Sequence, residues 1–295
     1  MEVKNRDMKK VSIIIPAKNE AKSLGKLLFE IVTTHPDFEV IVVNDGSTDN
    51  TSEVCKKHSV REIYNPYSKG NGAAIKSGAR AATGKILIFM DGDGQHQVKD
   101  IHALLEKLYS GYDMVVGARE GASSQANIAR GFGNKVYNRL ASWMVGHKIE
   151  DLTSGFRAVR GHRFKQFLSL YPNGFSYPTT STMAFFRAGY SVCYHPIIAL
   201  KRDGKSHINL FKDGLRFLLI IFKVGTLYSP LKIFTPISLV FFSLGLGYYL
   251  YTFYAFSRFT NMSALLFTTS VVIFLMGLVS EQIATLMYKG DEEKN

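Results

Sequence analysis

Apolar residues fall along this chain in two rhythms, and the change comes near Ile208. Before it, short unbroken apolar runs alternate with segments of helical spacing. Val11–Ile15, Val40–Val43 and Ile86–Met90 are continuous runs, the mark of strands buried on both faces of a parallel sheet. Leu24, Leu27, Leu28 and Ile31 make the stripe of an amphipathic helix that follows Glu20 and Ser23. Glu62–Tyr64 reads as a short strand, and Lys69–Ala82 as a Gly- and Ala-rich stretch that becomes helical. Ile101–Leu108 reads as a helix starting near Val98, and Asp113–Val116 as a further strand. Strands alternating with helices predict an α/β domain of parallel βαβ units.

After Ile208 the pattern is different. Leu210, Phe211, Leu215, Leu218, Leu219 and Phe222 are interrupted by Lys212, Arg216 and Lys223, as in helices that lie in a membrane interface. Ile233–Phe256 and Met262–Ser280 carry no charge. At ~1.5 Å per residue each is long enough to cross a ~30 Å hydrocarbon core. Ser257–Asn261 makes the turn of a helical hairpin, whose second helix runs on to Tyr288. The expected division is an α/β domain over 1–206, interfacial helices over 207–231, two transmembrane helices within 232–289 (233–256 and 262–288) and a tail over 290–295. Arg216, Lys223, Lys232 and Lys289 lie on the α/β-domain side of the spans and Arg258 on the other. The positive-inside rule therefore predicts an integral membrane protein with its first domain in the cytosol.

The polar punctuation carries the chemistry. Three strands run into polar turns: Pro16–Glu20, Asn44–Asp49 and Asp91–His96. Ligands of open α/β sheets bind outside the carboxyl ends of the strands, so these turns are expected to share one edge and one pocket. In Lys85–His96, KILIFMDGDGQH, two carboxylates sit among glycines that let the backbone bend sharply. Hard oxygen donors without Cys suit Mg²⁺ or Mn²⁺, which hold phosphate oxygens. A plain polar turn before the next helix explains Asp-x-Asp equally well. A calcium-binding EF-hand loop does not, because its sixth and twelfth positions fall on His96 and His102. Asp49 is suited to cap the helix after it. No G-x-G-x-x-G follows the first strand and no phosphate loop with GK[ST] occurs, which argues against a dinucleotide cofactor. Gly70-Asn71-Gly72 and Gly131-Phe132-Gly133 read as close-packing positions.

A formal charge of +12 calls for an acidic partner: nucleic acid, a phosphorylated substrate or an anionic membrane. Cys55 and Cys193 have no metal-ligand spacing and fit a reducing compartment. The polar start, MEVKNRDMKK, lacks an apolar signal core, so the first domain is not expected to be exported.

The set IIIPAKNE (13–20), VVNDGSTDNT (42–51), SKGNGAA (68–74), FMDGDGQH (89–96), VGAR (116–119) and DLTSGFRAVR (151–160) resembles family 2 glycosyltransferases of the GT-A fold. It is most similar to the branch that includes dolichol-phosphate mannose synthase and bacterial polyprenyl-phosphate glucosyltransferases. The match covers about residues 11–210, with the motifs in order. The resemblance implies that Pro16, Ala17, Asn19, Glu20, Val43, Asp45, Lys69, Asp91 and Gly92, with Arg202 and Lys205, surround the nucleotide sugar. It implies Asp91, Asp93 and Gln95 around a divalent metal, Mg²⁺ or Mn²⁺. It implies Arg119, Arg130, Ser154, Arg202 and Lys205 at an acceptor phosphate, with Asp91, Asp93, Arg119 and Arg130 catalytic. The chain has Lys18 and Asn44 where such enzymes often carry Tyr and Asp.

Other readings of the later motifs stand open. Arg130, Asn134 and Asn138 share one helical stripe, either a binding face or a solvated one. Arg157 either touches ligand or pairs with Asp151. Lys201–Ser206 is a phosphate-binding loop or an ordinary turn. The implied activity is transfer of one sugar, with inversion, from a UDP- or GDP-linked donor to a polyprenyl phosphate at the membrane, with no nucleic acid partner and a homo-oligomer left open. The alternatives are a lipid glycosyltransferase with a hydroxyl acceptor, which needs a base such as Asp151, and an inactive nucleotide-sugar-binding scaffold. A processive synthase is poorly served, because the single tryptophan, Trp143, is not in a Q-x-x-R-W motif.

Overall fold

The computed structural model describes residues 11–119, 128–174, 176–200, 222–223 and 225–292, without the side chains of 128–134 and 287–292. It divides into two compact units, one formed by the chain up to Ile208 apart from Met144–Gly146, and one by Met144–Gly146 with the residues after Ile208. The expected interfacial helices of 207–231 lie largely outside the described residues.

The first unit is a seven-stranded sheet. Its strands are β1 (Val11–Ala17), β2 (Glu39–Asp45), β3 (Arg61–Asn65), β4 (Ile86–Phe89), β5 (Met114–Arg119), β6 (Arg157–Arg160) and β7 (Val192–Ile197). The helices between them are α1 (Ala21–Thr34), α2 (Thr51–Lys57), α3 (Asn71–Ala81), α4 (Asp100–Tyr109), α5 (Ile128–Val145), α6 (Gly161–Gln166) and α7 (Tyr177–Arg187). Strand order is β3-β2-β1-β4-β6-β5-β7. β1 to β4 are parallel neighbours, as the apolar runs predict. The sheet is mostly parallel; β6, a strand that the apolar runs do not mark, runs antiparallel between β4 and β5. The order turns back between β1 and β4, which puts a crevice at their carboxyl ends.

The core is the one the rhythm predicts. Ile13, Ile15, Leu24, Leu28, Ile31, Val42, Ile88 and Leu104 are fully buried, and each such side chain contributes ~1.5–3 kcal/mol of transfer free energy. Close backbone packing joins α3 to the chain after α6. The Gly72 N–H donates to Gly174 O (3.1 Å) and the Ala73 N–H to Asn173 O (3.0 Å). A Cβ on Gly72 would lie 2.0 Å from Pro172 O, so the first glycine pair does mark close packing.

The second unit contains α8 (Pro230–Phe256) and α9 (Asn261–Glu292), a hairpin turned by Ser257 in the left-handed region (φ 49°). Both helices are long and apolar enough to cross a membrane, with only 11% and 17% of their most apolar stretches buried. A core helix of a soluble protein would be mostly buried. The two helices are clasped by Ser238 Oγ to Ser270 O and Ser270 Oγ to Ser238 O, both 2.9 Å. Gly245 lies against Leu266 and Phe267, and Gly277 against Phe234. Small residues and interhelical hydrogen bonds are what hold helices together where lipid competes for apolar contacts.

Gly72→Ala should destabilise the full-length protein by about 1–3 kcal/mol through overpacking, seen as a lower Tm. Gly174→Ala, whose Cβ meets nothing within 4 Å, should leave Tm nearly unchanged.

Candidate active site

Three loops meet at the carboxyl edge of β1, β2 and β4, and carboxylates shape them. Asp45, at the end of β2, accepts the Lys69 N–H (2.8 Å), the Gly70 N–H (2.9 Å), the Ser68 hydroxyl (2.8 Å) and Asn65 Nδ2 (2.9 Å). Burial alone would raise its pKa, but these donors bring it below the usual carboxylate range. The resemblance implies direct nucleotide contact for Asp45. In the structure its acceptor positions are taken up in holding the 65–70 loop, on which the Lys69 ammonium lies 5.6 Å from the Tyr67 ring centroid. Asp49 accepts the Ala21 N–H (3.0 Å) and the Thr51 N–H (3.1 Å). It thus serves the first residues of both α1 and α2, one more helix than the capping expectation.

Asn44 explains its own departure from the family pattern. Its Nδ2 donates to Glu62 Oε1 (2.8 Å) and Ser52 Oγ (3.0 Å), and its Oδ1 accepts the Ser47 N–H (2.9 Å). An aspartate here would set two carboxylates against each other. Asn19, in the left-handed region (φ 55°), accepts the Thr48 N–H (2.8 Å) and joins the β1 and β2 loops. Ala17 and Val43 are 3% and 0% exposed, so ligand contact by either is through backbone.

The Asp-x-Asp turn packs on β1 and on the 151–157 segment. A Cβ on Gly92 would lie 2.9 Å from Glu20 Oε2 and 3.3 Å from Pro16 O, and one on Gly155 would lie 2.7 Å from Asp91 Oδ2. Both positions admit only hydrogen beside these groups. His96, which sequence reasoning used only to exclude calcium, is buried, stacks on Phe156 (5.0 Å, 22°) and puts Nε2 3.5 Å from Asp91 Oδ2. Asp93 Oδ1 accepts the Gln95 N–H (3.1 Å). Gln95 Nε2 donates to Leu200 O (3.2 Å), which leaves its Oε1 as the atom suited to a cation. No cluster of three His, Cys, Asp or Glu side chains able to hold a metal occurs among the described residues. Two carboxylates and an amide oxygen nevertheless fit a cation that takes its remaining ligands from phosphate and water.

A second cluster lies at the end of β5. Arg119 Nε donates to Asp151 Oδ2 (2.7 Å), and its Nη2 to Asp151 Oδ1 (2.9 Å) and Thr153 Oγ1 (2.6 Å). Asp151 also accepts the Thr153 and Ser154 N–H groups, both 3.1 Å. Burial raises the Asp151 pKa, but Arg119 and these N–H groups hold it below its ordinary value. Asn138 grips the same turn from α5, donating to Glu150 O (2.7 Å) and accepting the Leu152 N–H (3.1 Å). On Asn138, then, the helical stripe is neither a solvated face nor a ligand contact. The Arg130 and Asn134 side chains, Arg202 and Lys205 lie outside the described residues.

Arg157 does not pair with Asp151. It is fully buried, and its Nη1 donates to Pro178 O (3.0 Å), Ser181 Oγ (2.7 Å) and Thr182 Oγ1 (3.1 Å), while Nη2 reaches Ser154 O. The bonds of Thr153, Asn138 and His96 were not legible in the sequence, because the fold brings these residues to Arg119, the 150–152 turn and Phe156.

A doubly wound sheet with carboxylate-bearing turns at its switch point is the frame of the GT-A glycosyltransferases. The chain belongs to glycosyl transferase family 2, which matches residues 12–167, and a GtrB C-terminal hairpin matches residues 229–286. It is accordingly a glycosyltransferase with a membrane hairpin. Glycosyltransferase AglJ of Haloferax volcanii is 26% identical over 94% of both chains. The dolichyl-phosphate hexose transferase of the same organism is 27% identical, covering 69% of this chain and 89% of its own. An undecaprenyl-phosphate 4-deoxy-4-formamido-L-arabinose transferase of Klebsiella pneumoniae is 28% identical, covering 81% and 75%. Among solved structures, glucosyl-3-phosphoglycerate synthase of Mycobacterium tuberculosis, with Mn²⁺, UDP-glucose and phosphoglyceric acid, has a TM-score of 0.59 at 18% identity over 76% of this chain and 82% of its own. That likeness shows the shared fold.

Asn44→Asp should cost about 1–3 kcal/mol of stability at neutral pH, the range for a buried polar group left without its partner. The loss should shrink as pH falls through the carboxylate range and should be largely restored by adding Glu62→Gln. Thermal unfolding of the single and double variants across pH checks this.

Proposed function

We propose that the enzyme transfers one sugar, with inversion, from a nucleoside-diphosphate sugar to a polyprenyl phosphate at the cytosolic face of a membrane. The observation that carries this is the pairing of a family 2 catalytic domain with the GtrB-type hairpin. It is supported by relatives named for dolichyl-phosphate and undecaprenyl-phosphate acceptors.

Asp91, Asp93 and Gln95 would hold Mg²⁺ or Mn²⁺ against the donor diphosphate. The cation, when bound, supplies charge to the leaving diphosphate. The Pro16–Glu20, Asn44–Asp49 and 65–70 loops bound the nucleotide end of the crevice, and Gly92 and Gly155 keep it open beside Asp91. An acceptor phosphate monoester has a second pKa of about 6 and is largely dianionic at neutral pH. It therefore needs positioning cations more than a base. Arg119, Arg130, Arg202 and Lys205 are proposed to supply them, with Ser154 as a further phosphate contact. Asp151 is ill-suited to the base role that a hydroxyl acceptor requires: it is held ionised by Arg119 and by backbone N–H groups, and such a carboxylate is a poor proton acceptor.

The direct test incubates membranes containing the protein with radiolabelled UDP- and GDP-sugars and analyses the extracted lipid. The expected product is a polyprenyl-phosphate sugar, lost with chelator and lost in Asp93→Ala. Full activity in excess chelator would remove the metal from the reading, and labelled diacylglycerol would replace the acceptor.

The cytosolic placement has its own test. Replacing Cys55 and Cys193 by Ser and introducing Thr260→Cys should give a protein labelled by an impermeant thiol reagent from outside intact cells. Labelling only after the cells are opened would mean that the turn between α8 and α9 does not reach the outer side.

A further inference from the structure

Arg119 is expected to meet the acceptor phosphate, yet it is already bound. One carboxylate and one hydroxyl occupy three of its N–H groups: Nε and Nη2 on Asp151 and a second Nη2 bond on Thr153. Nη1 makes no hydrogen bond among the described residues. A guanidinium is planar and its donors form a rigid fork. Once the Nε–Nη2 edge faces Asp151, the Nη1 donors must point away from it. Asp91 is the other carboxylate whose charge acts on this guanidinium.

Asp151 is itself immobilised. Its Oδ1 takes the N–H groups of Thr153 and Ser154. Asn138 fixes the chain on both sides of it, at Glu150 O and the Leu152 N–H. The Arg119 N–H reaches back to Asp151 Oδ2 (3.3 Å). Its donors therefore come from β5, from its own turn and from the guanidinium, and account for its acceptor capacity.

We propose that Asp151, with Thr153, is a positioning residue: it fixes the Arg119 guanidinium so that the Nη1 edge alone meets the incoming phosphate. This rests on the phosphate-acceptor reading above. It assigns Asp151 the opposite role from a base, because it acts through Arg119 and exchanges no proton with substrate. The ion pair also offsets the charge of Arg119, so that this side chain holds the anionic product less tightly than an unpaired Arg would.

The test is a double-mutant cycle on the full-length protein in nanodiscs, with polyprenyl phosphate as acceptor and UDP-glucose and GDP-mannose assayed in parallel. Asp151→Asn should lower kcat about tenfold or more, the scale of a misaligned contact, with the donor KM within about twofold of wild type. In an Arg119→Lys background, which cannot form the bidentate pair, Asp151→Asn should add less than about twofold, because the two act as one unit. Thr153→Val should lower kcat about threefold with the donor KM unchanged. An undiminished Asp151→Asn effect on Arg119→Lys, or recovery of Asp151→Asn by added formate, would identify a base and overturn the proposal. If Asp151→Asn fails to accumulate, Thr153→Val decides, and wild-type kcat in that variant overturns it. Should wild type glycosylate diacylglycerol and ignore polyprenyl phosphate, the functional reading fails on that assay alone. The same cycle run on diacylglycerol then overturns the positioning role if Asp151→Asn abolishes turnover in both backgrounds.

Discussion

The carboxyl edge of the sheet gathers carboxylates, and the rest of the site depends on how each one is satisfied. An ionised carboxylate removed from water must be hydrogen-bonded or it protonates. Here many of the partners are backbone N–H groups, of the carboxylate's own turn or of a neighbouring loop. Asp45 takes those of Lys69 and Gly70 and Asp151 those of Thr153 and Ser154, while the exposed Asp49 takes those of Ala21 and Thr51. Each bond set fixes a loop as well as a charge. Asp91 and Asp93 stand differently. Asp91 keeps a third of its side chain exposed, with His96 Nε2 3.5 Å from its Oδ2 and Gly155 packed against it. Asp45 and Asp151 are buried, whereas Asp91 and Asp93 are half-buried.

This division sets what was legible in the sequence. β1, β2 and β4 were readable because both faces are buried and the run of apolar residues is unbroken. The hairpin was readable because a bilayer demands length and apolarity together. β6 was not, since a strand of four residues that begins and ends in Arg carries no apolar rhythm. β7 was missed for a related reason: it is the half-buried edge of the sheet and contains a proline. In the site, motif residues were visible but their partnerships were not. Asp45 with the 65–70 loop and Arg119 with Asp151 are separated by 20 to 32 residues. Nothing local in either segment announces the other.

Asn44 shows how a departure from a family pattern becomes physical. Its amide is both donor and acceptor, and the structure uses both, giving N–H to Glu62 and taking N–H from Ser47. An aspartate could do only the second. The amide at 44 and the carboxylate of Glu62 therefore suit each other across β2 and β3.

Arg157 carries the argument furthest into the interior. Burying a guanidinium costs several kcal/mol even after relaxation, and no carboxylate pairs with it among the described residues. Its acceptors are neutral: Ser154 O, Pro178 O and the hydroxyls of Ser181 and Thr182. These belong to the Asp151 turn and to the first turns of α7, so one side chain on β6 ties both to the sheet. Tyr177 adds a second tie, donating to Gly155 O (3.2 Å) beneath the Arg157 guanidinium, which lies 5.8 Å from its ring centroid. Gly155 is the residue against Asp91. The buried cation thus holds the turn that carries Asp151 on one side and leaves room for Asp91 on the other. The two clusters of the site, one at the Asp91 turn and one built around Arg119, share this internal anchor.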